Sequence, residues 1–380
     1  MNLLTELISL SRRYGANPEF VLAGGGNTSV KDENVLYVKA SGHTLASIGR
    51  DGFVAMDQLK LQAVWEKEYP ADQDEREDAV LADMINARLE GESLRPSVEA
   101  LLHALLPQKY VVHLHPALVN GLTCAAKGKE YADKIFGKRA LWIPLVNPGY
   151  ILAKIVRDKL MDYRDQFGAD PEFILLQNHG IFVSANTLDS IDKIYDSVMK
   201  TLQQHLKRKP EQGDLSINAE RRIAIKESLS SLETLSSLAG NASYEIYSCS
   251  SRELALRLRD WDSFIPVSSA FTPDHIVYSG FKPLWIPESV FSGDTKQEVH
   301  AHIENYRNLY DCAPKTIAVQ NTGIFTYNEN ALVLFLDTVQ VAAYTESFGG
   351  FLYMSDEQID FIRTWEVEKY RAEISEVMKL

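Results

Sequence analysis

The chain has 380 residues, 45% of them hydrophobic and 24% charged, and a formal charge of −13 from 39 basic and 52 acidic side chains. That length holds two domains or one large one, and the acidic balance argues against nucleic acid or an anionic membrane as the main partner, though not against a small anionic substrate. The cysteines, Cys124, Cys249 and Cys312, are odd in number and far apart. They offer neither a disulfide framework nor a Cys-x-x-Cys zinc site, which suits a reducing cytoplasm. The N-terminus lacks the basic and apolar regions of a signal peptide, and no stretch approaches the ~18–20 apolar residues of a membrane span. A cytoplasmic chain without a membrane partner is expected.

In chain order, residues 2–14 have the spacing of an amphipathic helix, with Leu3, Leu4, Leu7, Ile8 and Leu10 on one side. Gly24-Gly25-Gly26-Asn27-Thr28-Ser29 then reads as a glycine-rich turn entering a strand. A second β-rich run, from Val35, ends in Lys39-Ala40-Ser41-Gly42. Glycine lets backbone N–H groups approach an anion, and Asn, Thr and Ser add neutral donors, so the two loops can cradle a phosphate. Ordinary hairpin turns account for the same residues. A dinucleotide fingerprint is absent, because position 29 is Ser where the pattern needs Gly, and no nucleotide P-loop is present. Residues 70–93 read as an acidic solvated loop running into a helix. Arg95-Pro96-Ser97-Val98-Glu99 opens another helix, with Glu99 in its first turn, where the helix dipole alone favours a carboxylate.

The run Val111-Val112-His113-Leu114-His115-Pro116 follows. On a strand, His113 and His115 point to the same side and can share one ion. A third histidine ends another apolar strand at Leu176-Gln177-Asn178-His179-Gly180. Three imidazoles at strand ends make an open site for a divalent metal, whereas any one of them alone would read as a hydrogen-bonded core residue. Between these strands the pattern predicts a helix near 117–127, an irregular stretch over 138–149 and a helix over 150–166. A long helix over 187–207 follows the second strand. Alternating helices and strands imply a layered α/β domain. A rival pair, His300 and His302, sits on helical spacing, so its rings diverge by about 200° at 3.6 residues per turn and read as surface histidines.

From about residue 210 a linker precedes two predicted helices, 217–239 and 250–259. Two later segments echo earlier ones. Asp274-His275-Ile276-Val277-Tyr278-Ser279-Gly280 resembles Asn34–Gly42, and Val319-Gln320-Asn321-Thr322-Gly323-Ile324-Phe325 resembles Leu176–Phe182. Residues 210–380 therefore read as a C-terminal α/β region that is a shortened, degenerate copy of the first domain, 1–209, with Thr322 in place of a metal ligand.

Gly26-Asn27-Thr28-Ser29, Ser41-Gly42, Pro96-Ser97-Val98-Glu99, His113-x-His115 and Asn178-His179-Gly180 occur in the order found in the class II aldolase/adducin family. The chain resembles that family over roughly residues 20–205. It looks most like the aldolase half of the bifunctional rhamnulose-phosphate aldolase/dehydrogenase proteins. The resemblance implies that His113, His115 and His179 hold Zn²⁺ and that Glu99 is the acid/base carboxylate. Asn27, Ser41, Gly42 and Ser97 would be phosphate-loop positions. It further implies a layered α/β/α fold and a homo-oligomer, such as a tetramer, acting on a sugar phosphate.

Two departures stand out. Val98 occupies a position where the family's sugar-phosphate aldolases often carry a second hydroxyl. After Trp365 only a short charged helix is predicted, without a cofactor fingerprint, so hydride transfer is not expected.

The expected activity is zinc-dependent carbon–carbon cleavage of a sugar phosphate or related hydroxy-ketone. Three imidazoles leave the ion open positions for a carbonyl and a neighbouring hydroxyl, and Glu99 shuttles the proton. The alternatives are a non-catalytic, adducin-like interaction protein, and an epimerase or decarboxylating lyase on the same fold.

Overall fold

The computed structural model describes residues 3–211, 213–215, 219–230, 245–292 and 295–365. The chain divides into two compact units. Residues 3–123, 127–205 and 364–365 make up the first; 124–126 and the described part of 206–363 make up the second.

The first unit runs α1 (Leu3–Gly15), β1 (Asn27–Asp32), β2 (Val35–Lys39), β3 (Phe53–Asp57), α2 (Gln58–Ala63), α3 (Gln73–Asn86), α4 (Ala100–Leu105), β4 (Tyr110–Leu114), α5 (Ala117–Thr123), α6 (Gly128–Phe136), β5 (Ala140–Ile143), α7 (Tyr150–Phe167), β6 (Phe173–Leu176), β7 (Gly180–Ala185) and α8 (Leu188–Gln204). The seven strands form one sheet in the order β3-β2-β1-β4-β7-β6-β5. Every pairing is antiparallel except β5 with β6. β4 lies in the middle, and all five of its residues are buried.

Helices cover the sheet because their apolar stripes need a partner surface. Leu101 and Leu102 of α4 and Val156 and Leu160 of α7 join Val111, Ile174, Leu176 and Phe182 in one core. On α1 the buried positions are Leu4, Leu7, Leu10, Ser11 and Tyr14, a single stripe at helical period. On α8 they are Ile191, Tyr195, Val198, Met199 and Leu202, and the helix starts where Thr187 accepts from the Ser190 N–H.

The second unit runs α9 (Ala219–Ser230), β8 (Tyr247–Cys249), α10 (Arg252–Arg257), α11 (Trp261–Phe264), β9 (Leu284–Ile286), α12 (Thr295–Tyr310), β10 (Thr316–Val319), β11 (Gly323–Thr326), α13 (Glu329–Thr345) and α14 (Asp356–Thr364). Its four strands are ordered β8-β11-β10-β9. Ile286, Ile317, Val319 and Phe325 of the sheet pack with Ile225, Val299 and Ile303 from α9 and α12.

Several expectations change. The helix predicted near 117–127 stops at Thr123, and the stretch expected to be irregular, 138–149, contains the edge strand β5. Glu99 is the N-cap of α4 rather than a residue of its first turn, and its side chain makes no capping bond. His275–Ser279 forms a π-helix, so the echo of 274–280 with the strand before Gly42 fails. His300 and His302 lie on α12 as expected, but both are half-buried rather than on the surface. His302 Nδ1 meets the Glu298 carbonyl at 2.9 Å. The helix predicted over 217–239 is present as α9, and its remainder lies outside the described residues, as does the helix expected after Trp365. Among the described residues no helix is long and apolar enough to cross a membrane.

Candidate metal centre

The site grows from pairing in the middle of the first sheet. Register sets Asn27 of β1 directly opposite His113 of β4, and His113 directly opposite Phe182 of β7. Opposed residues of neighbouring strands share a face, so amide, imidazole and phenyl ring stand in one row. The His113 and Phe182 rings stack at 4.0 Å and 14°. His113 is fully buried, and its Nδ1 lies 3.1 Å from the Ile181 carbonyl. A carbonyl only accepts, so Nδ1 carries the proton and Nε2 presents a lone pair.

His115, just past the end of β4, puts its Nε2 2.8 Å from that of His113. His179 is not on a strand but in the turn between β6 and β7, and its Nε2 is 3.3 Å from that of His113. The turn holds Asn178 at φ 55°, a left-handed conformation that Asn tolerates better than most residues. Gly180 then makes room. A Cβ there would come within 2.5 Å of the Leu114 carbonyl oxygen and 2.6 Å of His115 Cδ2.

The three ligand nitrogens all lie within 4.8 Å of one another, and among the described residues no other group of three or more such side chains converges this way. Glu99 adds a fourth donor, its Oε1 standing 3.3 Å from His113 Nε2 and 3.5 Å from His179 Nε2. Ligands at 2.0–2.1 Å around a tetrahedral ion are separated by roughly 3.3–3.4 Å. Most of these spacings match that edge. Oε1 is also buried without a hydrogen-bond partner, which in a buried polar atom calls for a functional reason.

The other carboxylate oxygen is held. Asn27 Nδ2 donates to Glu99 Oε2 at 2.5 Å and to Ser97 Oγ at 3.3 Å. The amide orientation is enforced by His103, which the sequence reading passed over as a site residue. Its Nε2 meets Asn27 Oδ1 and its Nδ1 lies 2.7 Å from Ser29 Oγ. Burial, then the charges of nearby lysines including Lys31 and Lys39, holds His103 well below the usual histidine range. A neutral ring has one N–H, and Asn27 Oδ1 can only accept, so Nε2 donates and Nδ1 accepts from Ser29. The signal was present in the sequence: His103 is four residues from Glu99, one helical turn on.

The remaining predicted residues sit on a bridge between Ala40 and Pro96. The Ser41 N–H donates to the Arg95 carbonyl at 2.9 Å and the Ser97 N–H to the Lys39 carbonyl at 3.1 Å. Those two amides are therefore committed to the backbone. The Ser97 hydroxyl oxygen also accepts from the Glu99 N–H at 3.3 Å. Gly42 turns the chain at φ 83°.

Residues 5–205 match the family described as class II aldolase and adducin N-terminal domain, and the chain belongs to that family. It is 23% identical over 418 aligned positions to an uncharacterized oxidoreductase, YuxG, of Bacillus subtilis, covering 96% of this chain and 58% of that protein. The chain thus spans a little over half the length of this relative. Among solved structures it is similar to the N-terminal class II aldolase domain of a conserved protein from Thermoplasma acidophilum, at 27% identity and TM-score 0.46, over 53% of this chain and 93% of that one. It is also similar to an L-fuculose 1-phosphate aldolase, at 21% identity and TM-score 0.37, over 53% of this chain and 84% of that one.

Two substitutions test this geometry. Gly180→Ala is expected to cost about 1–3 kcal/mol by overpacking, read by urea denaturation, and to weaken divalent-metal affinity by displacing His115. His103→Leu strands Asn27 Oδ1 and is expected to cost about 1–3 kcal/mol near neutral pH. Because the His103 pKa is lowered on folding, the unfolded chain binds the extra proton. Wild-type stability should therefore fall as pH drops through about 6.5, and the gap to His103→Leu should narrow there. A gap that stays constant or widens would contradict a neutral, donating His103.

Proposed function

We propose that this chain is a divalent-metal-dependent lyase of the aldolase type, cleaving a carbon–carbon bond in a sugar phosphate or related hydroxy-ketone. The observation that carries the reading is Glu99 Oε1, a buried carboxylate oxygen without a hydrogen-bond partner, at tetrahedral spacing from two imidazole nitrogens. His113, His115 and His179 would hold the ion, and an all-imidazole donor set suits zinc. When bound, the ion supplies Lewis-acid polarisation of a substrate carbonyl.

The chain's own residues do the rest. Asn27 pins Glu99 Oε2 and leaves Oε1 to take up and return a proton at the carbon flanking the scissile bond. A positioned general acid–base is worth roughly 10²–10⁴ in rate. The buried Phe182 ring, stacked on His113, keeps water from that side. Because Asn27 serves Glu99, we assign substrate phosphate chiefly to the Ser41–Gly42 turn, with the Ser97 hydroxyl proton as a further donor. A non-catalytic, adducin-like role gives no reason for a buried carboxylate oxygen without a hydrogen-bond partner beside three converging imidazoles.

Glu99→Gln tests the proton role. The variant should keep about one divalent metal per chain, as wild type and His300→Ala should, whereas His113→Ala and His179→Ala should lose it. Its kcat for conversion of ketose phosphates to aldehyde and ketone fragments should fall roughly 10²–10⁴-fold. Loss of the metal with Glu99→Gln would recast Glu99 as a ligand, and an epimer instead of two fragments would move the chain to another reaction of the family.

The two serines should separate. Ser41→Ala should mainly raise KM, by about tenfold or more for a lost bond to a charged group worth ~1.5–3 kcal/mol. Ser97→Ala should lower kcat as well, because its hydroxyl touches Asn27 and the Glu99 amide. Equal activity on phosphorylated and dephosphorylated ketoses would make both loops structural turns.

A further inference from the structure

The two units can be compared strand by strand. β8-β11-β10-β9 repeats the order and directions of β4-β7-β6-β5, with the parallel pair, β9 and β10 or β5 and β6, at the same edge. The turns agree atom for atom. Gln177 N–H donates to the Ile143 carbonyl at 3.0 Å, and Gln320 N–H donates to the Ile286 carbonyl at 3.0 Å. Gln177 Oε1 accepts from the Leu145 N–H at 3.3 Å, as Gln320 Oε1 does from the Glu288 N–H at 2.9 Å. Asn178 at φ 55° is matched by Asn321 at φ 51°. Their N–H groups donate to the last residue of a short helix and to the residue capping one, Thr123 and Leu258.

Two independent observations fix the register of the first strand. Phe182 lies opposite His113, and Phe325 lies opposite Ser248. A Cβ on Gly180 would come within 2.5 Å of the Leu114 carbonyl, and one on Gly323 within 2.7 Å of the Cys249 carbonyl. Both place Ser248 where His113 stands and Ser250 where His115 stands, and the turn places Thr322 where His179 stands.

We propose that the second unit copies the metal-bearing half of the first, and that Ser248, Ser250 and Thr322 line a vacated metal site whose backbone still aims three side chains at one point. This rests on the reading of His113, His115 and His179 as ligands. The hydroxyls now close the fold. Ser250 Oγ donates to the Leu215 carbonyl at 2.5 Å and Thr322 Oγ1 to the Gln320 carbonyl at 3.1 Å. Segment 213–215 runs alongside, with Asp214 bridged to Ser251 and the Leu215 N–H donating to the Ser250 carbonyl at 3.3 Å. The counterpart of Leu145 is Glu288, whose carboxylate pairs with Arg221 at 2.6 Å and accepts from Asn321 Nδ2 at 2.7 Å. The second unit therefore contributes no metal chemistry, while its scaffold remains able to hold an ion.

The test is restoration. The full chain carrying Ser248→His, Ser250→His and Thr322→His is titrated with Co²⁺ or Zn²⁺ alone beside wild type. Bound metal should rise by about one equivalent per chain, with the visible absorption of tetrahedral Co²⁺ growing in proportion. A folded triple variant that binds no more metal than wild type overturns the copy. If the triple variant does not fold, Ser248→His with Thr322→His serves instead, and Zn²⁺ should raise its Tm above any shift in wild type; an equal shift overturns the proposal. The two readings fail separately. Wild type without metal beside a triple variant that gains an equivalent would remove the first site and keep the copy.

Discussion

A histidine shut away from water is costly to keep in a folded chain unless its ring nitrogens have something to bind. His113 meets that demand in a way that organises the first unit. Its strand is paired on both sides, so its position is set by two ladders at once. The Ile181 carbonyl takes the Nδ1 proton, which turns the lone pair of Nε2 toward His115, His179 and Glu99. Orienting an imidazole through its far nitrogen is a general device of metal sites, and the proposed ligand role of His113 would use it. Here the orienting group is backbone, which cannot rotate away.

Around that ring, specificity passes outward through polar groups with few choices. Glu99 Oε2 accepts from the amide nitrogen of Asn27, which turns Asn27 Oδ1 the other way; Asn27 Oδ1 can only accept, so His103 must donate; Ser29 supplies the remaining proton. Every orientation follows from the one before. Such buried chains are stable only when complete. The single incomplete atom, Glu99 Oε1, lies at the end that faces the imidazoles.

Much of this was legible in the sequence. The period-two spacing of His113 and His115 on an apolar run identified a shared face, and the stripes of α1, α7 and α8 were plain at helical period. Other parts carried little signal. β5 is only four residues long and half exposed at its start, so neither alternation nor a long apolar run marks it. His275–Ser279 reads as a strand by its β-branched and aromatic residues, yet tertiary packing buries all five in a π-helix, since propensity yields to burial. His103 looks like one more apolar-face position until Asn27 and Ser29 are set beside it by strand pairing. That His179 sits in a turn, not at a strand end, depends on Asn178 adopting a positive φ, which residue type permits but does not demand.

Gly323 carries a lesson about signatures. In the first unit, Gly180 spares both a carbonyl and an imidazole; in the second no imidazole is present, yet the carbonyl still approaches to where a Cβ would collide. The tripeptide Asn-x-Gly therefore answers to hairpin sterics and survives when the residue between them changes from histidine to threonine. A search keyed to those flanking residues would collect turns of both kinds with equal weight. Discrimination resides in the middle letter, together with what stands on the neighbouring strand at the positions of His113 and His115.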